Sequence, residues 1–117
     1  MRISALEAYN KTAKELLKNP RNAAAGALRN LDPAVTASRR LDACFYDVGY
    51  IEGKSFANQR EMMDFLRENR FPTSDCEKYC PSLKAAIDAV HEIEESRGAL
   101  DYMIDGAVIK ICDFATR

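Results

Sequence analysis

Apolar residues recur at helical spacing in three stretches of the 117-residue chain and crowd into short continuous runs in two others. Leu6, Tyr9, Ala13, Leu16 and Leu17 share one helical face. They follow Ser4-Ala-Leu-Glu7, whose serine and glutamate fit a capping box. Asn19-Pro20 ends this helix, because proline disfavours helical geometry at the residue before it. Between Asn58 and Arg70 a second periodic stretch predicts a helix with Met62, Phe65 and Leu66 turned inward. The third opens at Ser82, carries Leu83, Ala86, Ile87, Val90 and Ile93 as one stripe, and closes near Arg97-Gly98. The continuous runs are "LDACFYDVGYI", Leu41 to Ile51, and "DGAVIKIC", Asp105 to Cys112. Both read as strands bounded by turn chemistry at Glu52-Gly53 and Asp105-Gly106.

One stretch fits neither pattern. In "KNPRNAAAGALRNLDP", Lys18 to Pro33, alanines and a glycine fill the space between Arg21 and Arg29. Asn22 can cap a short helix over Ala23–Asn30, which Asp32-Pro33 stops. "RFPTSDCEKYCP" predicts an irregular connection holding at most one short strand. Few strands among several helices, joined by short loops, predict an α+β domain with a mostly antiparallel or mixed sheet and flanking helices. A small α/β sandwich is the rival.

Composition narrows this to a globular chain: 47% of residues are hydrophobic and 30% charged, enough for one compact domain over residues 1–117. No apolar run reaches the roughly 20 residues that cross a bilayer, and no basic-then-apolar leader opens the chain, so the cytoplasm is the expected compartment and no membrane partner is expected. Cys44, Cys76, Cys80 and Cys112 follow neither zinc nor disulfide spacing. They read as reduced thiols, with Cys44 and Cys112 as small core residues. His91 reads as helix surface.

Charge changes the picture more. The net charge is −1, yet residues 11–40 hold seven basic side chains against Glu15 and Asp32. That local +5 faces a net −6 over residues 41–117. The asymmetry points either to a basic face aimed at an anion or to a solvated helix with ordinary surface lysines. An almost side-chain-free helix lets a backbone, sugar or phosphate come close. Arg21 just ahead of its N-terminus and Arg29 two turns on differ by about 80° around the axis and about 12 Å along it. Guanidinium forks suit phosphate. The alternative is close helix packing with two incidental surface arginines.

In the second apolar run Lys110 is a lone cation, with Asp105 at the mouth of the strand. If the segment is a strand, Ala107, Ile109 and Ile111 face one way and Val108, Lys110 and Cys112 the other. Lys110 is then either an edge charge that discourages aggregation or a ligand for a base or phosphate. Tyr46, inside "ACFYDVG", is either core or a flat platform for a heterocycle.

Three of these segments together resemble a known family. "NPRNAAAGALRNLDP" resembles the signature of bacterial NAD-dependent DNA ligases. "FYDVG" resembles a second block of that family in order and spacing, and "IDGAVIK" resembles its later nucleotidyltransferase motif. The resemblance covers nearly the whole chain. It implies part of an adenylation domain with a nucleotidyltransferase (ATP-grasp-like) fold. That domain makes a lysine–AMP intermediate from NAD with magnesium and passes AMP to the 5′-phosphate of nicked duplex DNA, in replication and repair. It further implies that Arg21 and Arg29 engage phosphates of DNA and adenylate, that Tyr46 and Lys110 line the adenine pocket, and that Asp105 lies near the phosphates and the metal ion.

Four departures touch local detail. Ala27 stands where the family commonly has serine, Ala107 where it has valine, Met103 where it has an acid and Arg40 where it has proline. A larger one is that the 117 residues contain no Lys-x-Asp-Gly, the motif of the family's nucleophile. The expectation is an interior fragment, cut at both ends and separated from the remaining ligase domains. Alone it forms no AMP adduct, seals no nick and binds no cofactor tightly, because adenylation needs an amine held in line with the α-phosphate. A stand-alone nucleic-acid-binding module and a functionally silent remnant are the competing readings.

Overall fold

Asn19 does not end a helix; it starts one. In the computed structural model, which describes residues 1–117, five α-helices follow one another: α1 (Ile3–Asn10), α2 (Pro20–Arg29), α3 (Pro33–Ser38), α4 (Gln59–Glu68) and α5 (Leu83–Ser96). Single turns of 3-10 helix lie at Arg97–Ala99 and Phe114–Thr116. The chain divides into two compact units, one formed by Met1–Asp42 with Glu92–Gly106 and the other by Ala43–His91 with Ala107–Arg117.

In the first unit the Asx-Pro pairs act as helix starts. The Asn19 side chain accepts from the Arg21 and Asn22 amides at 2.8 and 3.3 Å, and Pro20 takes the first helical position, where its missing N–H costs nothing. Asp32 does the same for α3, accepting from the Ala34 amide at 2.9 Å ahead of Pro33. The second helix thus begins three residues earlier than its alanines suggest, which puts Arg21 inside its first turn rather than ahead of it. Pro20, Ala23 and Ala27 form its buried stripe. It packs against α1 and α3.

Helix α1 is shorter than its periodicity predicts. Asn10 closes the following loop by accepting from the Leu17 amide at 2.9 Å and donating to the Leu17 carbonyl at 2.7 Å. With Leu17 held by that asparagine, Leu16 is left exposed. Ser4 and Glu7 make no capping box. The N-cap position is Arg2, without a side-chain cap bond, and Asp101 serves instead: its carboxylate accepts from the Ser4 amide at 2.8 Å and from the Ser4 hydroxyl. These bonds, aided by Arg2, hold the Asp101 carboxyl below its ordinary value. A lowered folded-state pKa stabilises above the unfolded-state value and is lost as pH falls through the folded one. Unfolding midpoints of the parent chain and Asp101→Asn are therefore expected to differ above about pH 4 and to converge in stronger acid. Equal gaps at all pH values would remove Asp101 from this role.

In the second unit α4 carries the core. Asn58 accepts from the Glu61 amide at 2.9 Å, and Glu61 reaches back to the Ala57 amide at 2.9 Å. Met62, Met63 and Leu66 are buried, with Val48, Phe56 and Phe114 packed against them. Phe65, expected inside, is half-buried against Phe56 with Lys54 Nζ 4.9 Å from its ring. Beyond the helix, Arg67 donates to Glu77 at 2.8 Å and to Thr73 at 3.1 Å, while Tyr79 donates to Glu77 at 2.7 Å under the Arg60 guanidinium. Burial and the Glu77 bond push the Tyr79 hydroxyl up to about 12. That cluster fixes the irregular connection.

The predicted sheet is absent, and this corrects the α+β expectation and its α/β rival alike. Both apolar runs lack regular secondary structure and form no ladder, and the single antiparallel bridge joins Asn58 to Asp113. Alternation and β-branched residues favour extended backbone; a strand also needs a neighbour to take its amides and carbonyls, and no segment of this chain supplies one. The two sides of the second run are not divided into inside and outside: Val108, Ile109 and Ile111 are all exposed. Cys44 and Cys112 lie on the exposed runs rather than in a core, and no disulfide joins any of the four cysteines. Helix α5 forms over its predicted span, yet no residue of it is fully buried, and His91 lies on its exposed side.

Candidate functional site

The residues singled out for chemistry fall into two groups. Arg21, Arg29 and Asp105 belong to the first unit, and Tyr46 and Lys110 to the second.

In the first unit, the small side chains of α2 are used by the chain itself. Arg39 Nη1 donates to the Ala23 carbonyl at 2.7 Å, and the Thr36 hydroxyl donates to the Ala27 carbonyl at 2.7 Å. A methyl group on Gly26 would sit 3.1 Å from Arg39 Nη1. The alanines and glycine therefore admit α3 and its following arginine close enough to bond helix carbonyls. Sequence reasoning counted Arg39 only as charge; the missed signal was a run of tiny residues followed by a long donor. Arg40 follows with φ +47°, a left-handed conformation that proline, locked near −65°, does not adopt.

Arg21 and Arg29 project from this braced helix. Arg21 is 79% exposed, and its guanidinium lies 3.7 Å from the Asp105 carboxylate. Arg29 lies exposed on the last turn, where a cation suits the helix dipole. Two exposed cations on one rigid element can meet phosphates, and the Arg21–Asp105 ion pair is exposed enough to exchange partners with an incoming anion. No three His, Cys, Asp or Glu side chains gather around Asp105. A magnesium ion there fits only as one held by this single carboxylate together with substrate phosphates and water.

In the second unit the structure brings two predicted residues together. Lys110 Nζ lies 5.1 Å from the Tyr46 ring centre, within cation–π range. Tyr46 is 69% exposed, so it is not core. An accessible ring face beside a cation suits a flat heterocycle carrying negative charge nearby. The Tyr46 and Lys110 segments are joined through Gln59, which no periodicity marks. Its amide N–H donates to the Cys112 carbonyl at 2.8 Å, and its side chain reaches the Tyr46 carbonyl at 3.5 Å.

Comparison with known proteins agrees with the motifs. The family model described as the NAD-dependent DNA ligase adenylation domain matches residues 1–117. A DNA ligase of Alkaliphilus metalliredigens is 56% identical over all 117 residues, and one of Finegoldia magna is 50% identical over the same length. A DNA ligase of Alkaliphilus oremlandii is 51% identical over 111 residues. The chain spans about 18% of the length of the first two relatives and 17% of the third.

Proposed function

Since the chain belongs to the NAD-dependent DNA ligase adenylation-domain family, we propose that it supplies binding surfaces to ligation rather than the nucleophile. On this reading Lys110 and Tyr46 hold the adenine of an adenylate derived from NAD. Arg21 and Arg29 engage phosphates of adenylate and nicked duplex DNA. Asp105 lies near those phosphates and contributes one carboxylate to magnesium. The remaining ligase domains are the partners that complete the reaction. Magnesium supplies charge neutralisation on the phosphates when bound; this chain's own residues bind and orient.

The observation that carries the reading is the Lys110 ammonium over an accessible Tyr46 ring. A cation beside an aromatic platform contacts both the edge and the face of a purine, and each contact contributes about 1 kcal/mol. The 117 residues hold no Lys-x-Asp-Gly, so the chain taken alone presents no matching amine for AMP transfer.

AMP titrated into the chain is expected to bind weakly, with Lys110→Ala weakening it roughly fivefold. Intact mass after incubation with NAD and magnesium is expected to stay unchanged. AMP affinity indifferent to Lys110 would remove the adenine assignment, and a lysine carrying AMP would overturn the division of labour.

A further inference from the structure

Two segments without regular secondary structure nevertheless place Tyr46 and Lys110 side by side. Gln59, at the first turn of α4, contacts both. Its backbone N–H donates to the Cys112 carbonyl at 2.8 Å, two residues beyond Lys110. Its side-chain Nε2 donates to the Tyr46 carbonyl at 3.5 Å. Its Oε1 accepts from Arg117 Nη2 at 3.1 Å, and Arg117 Nε in turn donates to the Ile111 carbonyl at 2.7 Å. The Arg117 guanidinium rests over Phe114, 4.6 Å from the ring centre, and Phe114 packs on the Met62–Met63–Leu66 core. The backbone N–H of Gln59 thus holds the Lys110 segment directly, while its carboxamide, donor at one end and acceptor at the other, links the Tyr46 carbonyl through Arg117 to the Ile111 carbonyl.

We infer that Gln59 is a positioning residue: its amide ties the Tyr46 segment to the Lys110 segment, fixes the ammonium over the ring, and thereby sets affinity for an adenine-type heterocycle. The link to affinity rests on the proposed adenine site; the link to geometry does not. The chemistry demands an amide. A glutamate of the same length keeps an acceptor for Arg117 but turns an oxygen toward the Tyr46 carbonyl, so that tie becomes a repulsion. A helix former at this position leaves α4 intact, and an acid in the first turn suits the helix dipole.

The test uses the 117-residue chain with carbon-13 lysine. The Lys110 ε-methylene, identified by its disappearance in Lys110→Arg, is expected upfield of the other lysines because it lies over an aromatic ring. In Gln59→Glu that signal is expected to move to the ordinary lysine position while the Met62 and Met63 methyl signals stay in place. AMP affinity is expected to fall roughly fivefold. Gln59→Met, which keeps side-chain length and helix propensity but loses both polar ends, is expected to give the same displacement and guards against misfolding of the first variant. A Lys110 signal that stays upfield in both variants overturns the inference. If the signal moves but the parent chain shows no AMP binding, the positioning role stands and the adenine site falls.

Discussion

Met63→Ala is expected to lower the unfolding free energy by about 2–5 kcal/mol, the range for emptying a buried methionine site. Met63 is 2% exposed and the largest fully buried side chain in the molecule. The core it belongs to is small: Met62 and Leu66, with the half-buried Val48, Phe56 and Phe114 packed against them. A chain with so small a core has little to spare, since domains of ordinary size are stable by only about 5–15 kcal/mol. Urea unfolding followed by circular dichroism reads the loss as a lower midpoint. Leu31→Ala is the control: Leu31 is fully exposed and its change is expected within about 0.5 kcal/mol. Equal effects at the two positions would show that α4 does not hold the core.

The double variant Arg21→Ala/Arg29→Ala is expected to weaken binding to a nicked duplex and to flatten its salt dependence. Each phosphate contact contributes about 0.9 to the slope of log affinity against log salt, so losing two lowers it by about 2. Both arginines are exposed on one helix whose carbonyls are braced by Arg39 and Thr36, so the substitutions remove charge while leaving that bracing in place. Anisotropy of a labelled nicked duplex between about 50 and 200 mM salt measures it. Arg97→Ala, outside the basic segment, is expected to leave the slope near the parent value. A slope unchanged in the double variant would assign the local positive charge to solubility.

Helix identity was legible where a stripe and a start signal coincided. The stretch opening at Ser82 became Leu83–Ser96, and that from Asn58 became Gln59–Glu68. Asn19-Pro20 and Asp32-Pro33 were legible as boundaries but carried no direction. The same proline that disfavours a helix behind it is preorganised to begin one ahead, and the cap bonds decide between the two. The apolar runs around Tyr46 and Lys110 were misread as strands, because a strand depends on pairing with a second segment and not on local preference alone. Their mutual approach was not legible at all: Gln59 and Arg117 make it through polar contacts that leave no periodic trace. Asp101 capping α1 from the far end of the chain belongs to the same class.

The guanidinium laid across α2 makes room at position 26 and length at position 39 a single variable. A methyl at position 26 would sit 3.1 Å from Arg39 Nη1, so enlarging that site obliges the guanidinium bonded to the Ala23 carbonyl to give by a few tenths of an ångström. A thermodynamic cycle of Gly26→Ala, Arg39→Ala and their combination is expected to be non-additive, with the double change costing less than the two single costs together. Strict additivity would mean the two residues drift independently, and that the arginine is a passenger on the helix rather than its clasp.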